Sequence, residues 1–268
     1  QNMPGNVVAV SSGKGGVGKT SLTVNLAVAL AGRGKKVLVC DADLGLANVD
    51  ITLGLKPQYD LQHVLSGERT LDEIVIEGPQ GVGVIPAASG IARMLELSAA
   101  ERLEMGLAFT SLSERYDLVL LDTAAGIGQD VISFLSGANH VIVVVCDEPT
   151  SLTDAYALIK VSASERKVRR FQIVANKAKG SAHGLQVYKK LLNATDQFLD
   201  VNLSYLGAVP TDHRMLESLR ERTPVVSLYP RTQASVAIRD IAASLEERFN
   251  LDFETDGFAA LFQKNDMS

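Results

Sequence analysis

Short runs of apolar and mostly β-branched residues recur along this chain, separated by longer segments whose apolar positions repeat with a helical period. Such short runs predict buried strands, and the intervening periodicity predicts amphipathic helices. The predicted strands cover residues 7–10, 37–40, 82–85, 118–121, 141–146, 171–175 and 203–208. The predicted helices cover residues 22–30, 98–112, 130–136, 152–163, 185–193 and 235–249. This alternation predicts an α/β fold, a doubly wound and mostly parallel sheet with helices on both faces.

The composition shows no sign of a second domain. The 268 residues are 46% hydrophobic, and no linker rich in proline, glycine or serine divides them, so one sizeable α/β domain is expected. We predict that this domain covers residues 1–250 and that residues 251–268 form a tail. The apolar runs are far shorter than the roughly 18 residues of a membrane-spanning helix, and the first residues lack the pattern of a secretory signal. The sequence therefore predicts a cytoplasmic protein.

The charge and the cysteines argue against two classes of function. A net charge of −5 disfavours broad binding to nucleic acid, because such binding needs positive side chains that release counterions from phosphates. No direct nucleic-acid partner is therefore expected. Cys40 and Cys146 each end an apolar run and are predicted to be reduced core residues rather than a disulfide. They form no CxxC pair, which argues against iron–sulfur or reductase chemistry.

A glycine-rich loop, SSGKGGVGKTS at residues 11–21, follows the first predicted strand. Its glycines and the GKT triplet fill every fixed position of the pattern G-x₄-G-K-[S/T], whose backbone N–H groups surround nucleotide phosphates at the start of a helix. Lys19 is expected to bridge the β- and γ-phosphates, and Thr20 to offer its hydroxyl to Mg²⁺. The predicted nucleotide-binding residues of the loop are Gly13, Lys14, Gly15, Gly16, Val17, Gly18, Lys19, Thr20 and Ser21.

Aspartates follow two of the other predicted strands. Asp41 and Asp43 lie in CDADLGLANVD, after the second strand, and Asp122 lies in LLDTAAGIG, after the fourth. A lone aspartate at a strand end is ordinarily a helix N-cap. Beside an intact phosphate loop, we instead interpret Asp122 as the Walker B carboxylate that holds a water of the Mg²⁺ shell, and residues 124–126 as a switch loop.

The segment KGGVGKT resembles the deviant phosphate loop of the MinD/ParA family. In that family the early lysine crosses a nucleotide sandwich and contacts the phosphates bound to the partner subunit. The resemblance implies that Lys14 acts in this way in an ATP-bound homodimer, as an arginine finger does. It also implies that Asp41 lies near the Mg²⁺ shell and that Asp43 orients the attacking water, so that Lys14, Lys19 and Asp43 are the catalytic residues.

Two further segments resemble the adenine site of that family. They are IVANKA, which contains Asn176, and GAVPTD, which contains Pro210 and Asp212. An asparagine side chain offers a donor and an acceptor, which suits the N6 and N7 edge of adenine, and the second segment is expected to act through its backbone. The sequence NKAK lacks the aspartate of the guanine motif NKxD, so ATP is the expected nucleotide.

Several segments resemble the FlhG/FleN branch of this family, the MinD-like ATPases that limit the number and place of polar flagella. They are DADLGLANVDITLGL, VIPAASG, LDTAAGIG and CDEPTSLTDAYALIK. The resemblance implies a flagellar transcription activator of the FleQ/FlrA type as partner. The GTPase FlhF is a second implied partner, but the DQAxxLR segment with which some FlhG proteins stimulate it does not precede Val7. The alternative function is a MinD- or ParA-type positioning ATPase in cell division or plasmid partition.

The segment CDEPTSLTDAYALIK suggests how the early lysine is held at rest. By the resemblance, Glu148 is a candidate intramolecular partner of Lys14, and Asp154 lies near the expected dimer face. The alternative interpretation is a helix-capping cluster of Asp147 and Thr150 with solvated carboxylates.

The tail contains GFAALFQK, in which Phe258, Leu261 and Phe262 line one helical face. MinD relatives usually end in a basic amphipathic helix that binds membrane, which implies a peripheral location at the inner membrane or the cell pole. Only Lys264 is basic here, so attraction to anionic lipid would be small. The alternative is a tail that folds back onto the domain.

Overall fold

A computed structural model describes residues 6–43, 48–86 and 98–249. In this part of the chain eight strands form one sheet in the order β3-β4-β2-β5-β1-β6-β7-β8. All neighbours are parallel except β3 and β4. The strands are β1 Asn6–Ser12, β2 Val37–Ala42, β3 Ile76–Glu77, β4 Gly83–Ile85, β5 Leu118–Ala125, β6 His140–Val145, β7 Arg170–Ala178 and β8 Asn202–Pro210.

Helices connect most of these strands. The α-helices among the described residues are α1 Lys19–Ala31, α2 Val49–Thr52, α3 Leu61–Leu65, α4 Ala99–Ser113, α5 Gln129–Gly137, α6 Pro149–Arg166, α7 Ser181–Asp196, α8 His213–Arg220, α9 Val225–Leu228 and α10 Gln233–Phe249. None of them is long and apolar enough to cross a membrane.

The sheet is buried on both faces. Along β1, Val8 and Val10 belong to the core beneath α1 and α10, whereas Ala9 belongs to the core beneath α5, α6 and α7. Val7 faces the same side as Ala9 and packs into a third cluster with α3 and α4. Because successive side chains of a strand point to opposite faces, a strand covered on both sides must be apolar throughout. This explains why the strands appear in the sequence as continuous apolar runs.

The predicted doubly wound sheet is confirmed, and each of the seven predicted strands overlaps an observed one. Strand β3 was not predicted, because two residues at the sheet edge form no recognisable run. The short helices α2, α3, α8 and α9 were also missed, since four to eight residues are too few to show a helical period. The predicted tail at residues 251–268, the middle of DADLGLANVD and the end of VIPAASG lie outside the described residues.

The strand order places a crevice beside β1. Strands β5 and β2 lie on one side of β1, and β6, β7 and β8 lie on the other. In such sheets ligands bind at the carboxyl ends of the strands, at the point where the winding reverses. The glycine-rich loop leaves β1 at this point, so the fold brings the loops that follow β2, β5, β6 and β7 around it.

Candidate functional site

Three of the four glycines in the loop, Gly13, Gly16 and Gly18, are required by packing, by backbone conformation or by both. Gly16 and Gly18 have φ angles of 81° and 91°, in the left-handed region that residues with a Cβ rarely adopt. A Cβ on Gly18 would lie 2.4 Å from Nδ2 of Asn176, and one on Gly13 would lie 2.1 Å from the backbone of Asp154. The loop therefore rests against β7 on one side and α6 on the other.

Lys19 lies at the start of α1 and is buried against β5. Its Nζ donates to Oδ1 of Asp122 at 2.7 Å, and Thr20 Oγ1 donates to Oδ2 of the same carboxylate at 2.6 Å. The Thr23 hydroxyl, one turn further along α1, has a single proton that lies between the Lys19 carbonyl at 3.0 Å and Asp122 Oδ1 at 3.2 Å. The fully buried carboxylate thus accepts hydrogen bonds from Lys19 and Thr20 and part of one from Thr23, which offset the cost of removing it from water. Thr23 was missed by sequence reasoning, although its spacing of four from Lys19 places both on one helical face.

A second carboxylate lies beside the first. Asp41 is the last residue but one of β2, and its Cα is the register partner of the Asp122 Cα on β5. The Asp41 carboxylate accepts backbone N–H groups from Asp43 at 3.1 Å, Asn48 at 2.9 Å and Val49 at 3.0 Å. The pKa of Asp41 is raised to about 6, chiefly by burial and to a smaller extent by the negative charge of Asp122, although the three N–H groups lower it.

This arrangement fits Mg²⁺. Two carboxylates on adjacent strands, with the Thr20 hydroxyl beside one of them, are hard oxygen ligands of the kind that Mg²⁺ takes alongside several waters. No group of three or more His, Cys, Asp or Glu side chains suited to a metal occurs within the described residues. A magnesium ion held by these two carboxylates and the Thr20 hydroxyl would take its other ligands from water and phosphate oxygens.

Lys14 points away from this buried group. Its Nζ donates to Glu148 Oε2 at 2.9 Å and to Thr150 Oγ1 at 3.0 Å, at the start of α6. The pairing with Glu148 is the one expected from the sequence. The side chains of Lys14 and Glu148 are 40% and 53% exposed, and the Lys14 ammonium lowers the pKa of Glu148.

The alternative capping cluster at this position is not observed. The first turn of α6 has no side-chain capping bond. Asp147 instead accepts from Nε2 of His183 at 2.9 Å and from Nζ of Lys190 at 2.6 Å, and these hydrogen bonds lower its pKa. Thr150 accepts from Lys14, so both of the expected capping residues are engaged elsewhere.

The residues predicted for the base site divide into two groups. Asn176 reaches the phosphate loop, where its Nδ2 donates to the Val17 carbonyl at 2.7 Å. Pro210 ends β8, and the Asp212 side chain accepts from the backbone N–H of Arg214 at 2.9 Å as the N-cap of α8. The Asp212 carboxylate is thus used by a helix end, which leaves only the backbone of this segment for a base.

The remaining loop residues differ in their surroundings. Gly15 has no atom within 4 Å of an added Cβ, so this part of the loop faces open space. Val17 is buried, and the Ser21 hydroxyl is buried without a hydrogen-bond partner among the described residues. Asp43 follows the end of β2 and is half-buried. The loop therefore has an open side, and Lys19 lies at its inner end.

The chain is similar to known proteins over most of its length. The family model described as AAA domain matches residues 5–173. The chain is 45% identical over 243 residues to the antiactivator FleN of Pseudomonas aeruginosa. The aligned region covers 91% of this chain and 87% of that protein. It is 34% identical over 261 residues to the flagellum site-determining protein YlxH of Helicobacter pylori. That aligned region covers 96% of this chain and 88% of that protein.

A solved structure is similar over nearly the whole fold. The septum site-determining protein MinD of Pyrococcus horikoshii, complexed with Mg-ADP, superposes with a TM-score of 0.73 at 26% identity, covering 93% of this chain and 99% of that chain. The similarity thus extends from the phosphate loop to the last strands of the sheet.

Proposed function

The chain belongs to the MinD/ParA family of P-loop ATPases, in its FleN/FlhG branch, and on that premise we propose that it is an ATP-driven dimerisation switch that limits the number and placement of polar flagella. The proposed switch hydrolyses ATP slowly, requires Mg²⁺ and is complete only when two ATP-bound protomers face each other. In that state it antagonises a flagellar transcription activator of the FleQ/FlrA type, and the GTPase FlhF is a second candidate partner.

ATP binding is proposed from the residues around Lys19. On binding, the Lys19 ammonium exchanges the Asp122 carboxylate for the β- and γ-phosphates, and the Thr20 hydroxyl is released from the same carboxylate toward the metal. Mg²⁺, when bound, neutralises charge on the phosphates. Asp122 and Asp41 would hold waters of its shell, and Asp43 would orient the attacking water. The related MinD with Mg-ADP supports the choice of ligand.

The observation that carries the dimerisation proposal is the exposed ion pair of Lys14. Exposed ion pairs contribute about 0–1 kcal/mol, so Lys14 can leave Glu148 and Thr150 at little cost. Its own protomer already supplies the buried Lys19 for the phosphates. A second lysine that is held weakly outside its own site is suited to reach the site of a partner.

Mixing two inactive variants tests whether Lys14 acts in trans. In a heterodimer of Lys14→Ala with Asp43→Ala, the site on the Lys14→Ala protomer keeps its own Asp43 and receives Lys14 from the other subunit. Equal mixing before ATP is added should restore about a quarter of the wild-type rate, because half of the dimers are mixed and each has one complete site. In the control, Lys14→Ala is mixed with the double variant Lys14→Ala/Asp43→Ala, which cannot supply Lys14. Absence of recovery in the test mixture would exclude the trans role.

The same variants test dimerisation and partner choice. Asp43→Ala should accumulate as an ATP-dependent dimer in light scattering, because water attack is impaired while Lys14 still engages. A pull-down with Asp43→Ala and with Lys19→Ala should retain the transcription activator only for the first. A dimer that forms equally without ATP, or an activator retained by both variants, would refute this part of the proposal.

The alternative function is positioning in division or partition, as the names of the MinD relatives suggest. Deletion of the gene separates the two functions: extra flagella support the flagellar role, whereas minicells or plasmid loss support the alternative.

That residues 1–250 form one ATPase domain also stays a proposal. The membrane contact of the tail is likewise a proposal. It is tested by comparing how much of the full chain, and of the chain without residues 251–268, sediments with lipid vesicles.

A further inference from the structure

Strand β7 has an irregularity next to the phosphate loop. Ala175 pairs with Ala208 of β8 and Ala178 pairs with Pro210, so two residues of β7, Asn176 and Lys177, stand opposite a single residue of β8. Lys177 has a φ angle of 53°, in the left-handed region that residues other than glycine seldom occupy. Bulges and strained residues of this kind concentrate beside functional sites, where they change the direction of a side chain.

The bulge brings two consecutive side chains to the same loop. In a regular strand neighbouring side chains point to opposite faces of the sheet. Here Asn176 Nδ2 donates to the Val17 carbonyl at 2.7 Å, and Lys177 Nζ donates to the Gly16 carbonyl at 2.8 Å. Two adjacent peptide groups of the phosphate loop are therefore held from β7, across 159 and 161 residues of sequence.

The direction of these carbonyls decides the direction of two N–H groups. In a planar trans peptide the C=O and the N–H of one unit point in opposite directions. The Gly16 carbonyl shares its peptide unit with the Val17 N–H, and the Val17 carbonyl shares its unit with the Gly18 N–H. Holding both carbonyls toward β7 turns both N–H groups away from it. A carbonyl turned the other way would present its negative end to a bound polyanion.

Lys177 also adds positive charge at this place. Its ammonium contributes to the lowered pKa of Glu148, after the larger effect of Lys14, so the two lysines lie near the same carboxylate. If Lys14 leaves for a partner subunit, Lys177 stays on its own protomer as a neighbouring cation of Glu148 and of the loop.

We propose that Lys177 is a positioning residue for the nucleotide phosphates, which acts by holding the Gly16 carbonyl so that the Val17 N–H faces the bound phosphates. This role rests on the ATP site proposed above. Lys177 complements Lys14, because one lysine orders the phosphate loop of its own protomer and the other serves a partner. Position 177 would thereby set the affinity for nucleotide rather than the rate of its hydrolysis.

The test uses Lys177→Asn, Lys177→Arg and the matched control Lys179→Asn in the full chain. Asparagine accepts a left-handed backbone, so the first variant removes the ammonium without disturbing the bulge, and arginine keeps a long cationic donor. Lys179 is exposed, and its side chain makes no hydrogen bond or ion pair with the part of the chain that the structure describes. The control therefore removes the same charge two residues away. ATP and ADP affinities, KM, kcat and the unfolding temperature are measured for each variant.

Lys177→Asn should weaken binding of both ATP and ADP by about tenfold and raise KM with kcat nearly unchanged, because an interaction made equally in the ground and transition states is lost. Lys177→Arg should restore most of the affinity, and Lys179→Asn should bind as wild type does. Wild-type affinity in Lys177→Asn, an equal loss in Lys179→Asn, or a lower kcat with unchanged KM would overturn the proposal. Failure of the wild-type protein itself to bind ATP would instead refute the proposed function.

Discussion

Two lysines of one glycine-rich loop lie in opposite environments. Lys19 is 8% exposed and pairs with a carboxylate, Asp122, that is fully buried, whereas Lys14 and its partner Glu148 are 40% and 53% exposed. Losing one partner of a buried pair costs about 3–5 kcal/mol, and an exposed pair contributes about 0–1 kcal/mol. Because both residues are lysines, the comparison shows that burial distinguishes a lysine fixed in its own site from one that can be released.

The fold explains this difference. Lys19 is the first residue of α1 and points into the crevice beside β5, where Thr20 and Thr23 share the same carboxylate. Lys14 precedes the helix and reaches outward to the start of α6. Substitutions of Lys19, Lys14 and Glu148 each change one side of this comparison.

The largest effect is expected for Lys19→Ala. The variant removes the lysine that would meet the phosphates and leaves Asp122 buried with hydroxyl donors only, so ATP affinity should fall at least about 100-fold and the free energy of unfolding by about 3 kcal/mol. Calorimetric titration and urea unfolding measure the two quantities. The double variant Lys19→Ala/Asp122→Asn should regain stability but not ATP binding. An unchanged unfolding free energy in the single variant would contradict the importance of the buried pair.

The next effect is expected for Lys14→Ala. The rate of ATP hydrolysis should fall by about 10³-fold, as on loss of an arginine finger, while the free energy of unfolding changes by less than about 1 kcal/mol. Single-turnover hydrolysis and urea unfolding separate the two quantities, and ATP titration shows that the site is still loaded. A loss of ATP affinity as large as that of Lys19→Ala would mean that Lys14 serves its own site.

The smallest effect is expected for Glu148→Gln, which weakens the resting hold on Lys14. Because the pair is exposed and screened by salt, the ATP-dependent dimer should become tighter by less than about fivefold, and the gain should shrink at high ionic strength. Analytical ultracentrifugation at two salt concentrations measures the dimer dissociation constant. A change of more than about tenfold would show that the resting pair is far stronger than an exposed one.

Much of the fold and of the phosphate site could be predicted from local pattern. The apolar runs show the strands because the sheet is covered on both faces, and the spacing of Gly13, Gly18, Lys19 and Thr20 is needed by a loop that approaches a polyanion. At Asp212 the local pattern could not show what the side chain does. Its segment was expected to hold a base through the backbone, and the carboxylate caps α8, because the N–H groups at the start of a helix need an acceptor.

The sequence by itself determined the order of strands and helices along the chain, the phosphate loop and the aspartates that follow two of the predicted strands, since each of these is a pattern of residues close together in the chain. Only the tertiary structure decided which lysine is buried, that Thr23 joins the Lys19 pair, and that Lys177 reaches Gly16. Those contacts join residues about a hundred or more positions apart. They depend on strand order, on the bulge in β7 and on burial, and all three are properties of packing that a local pattern does not contain.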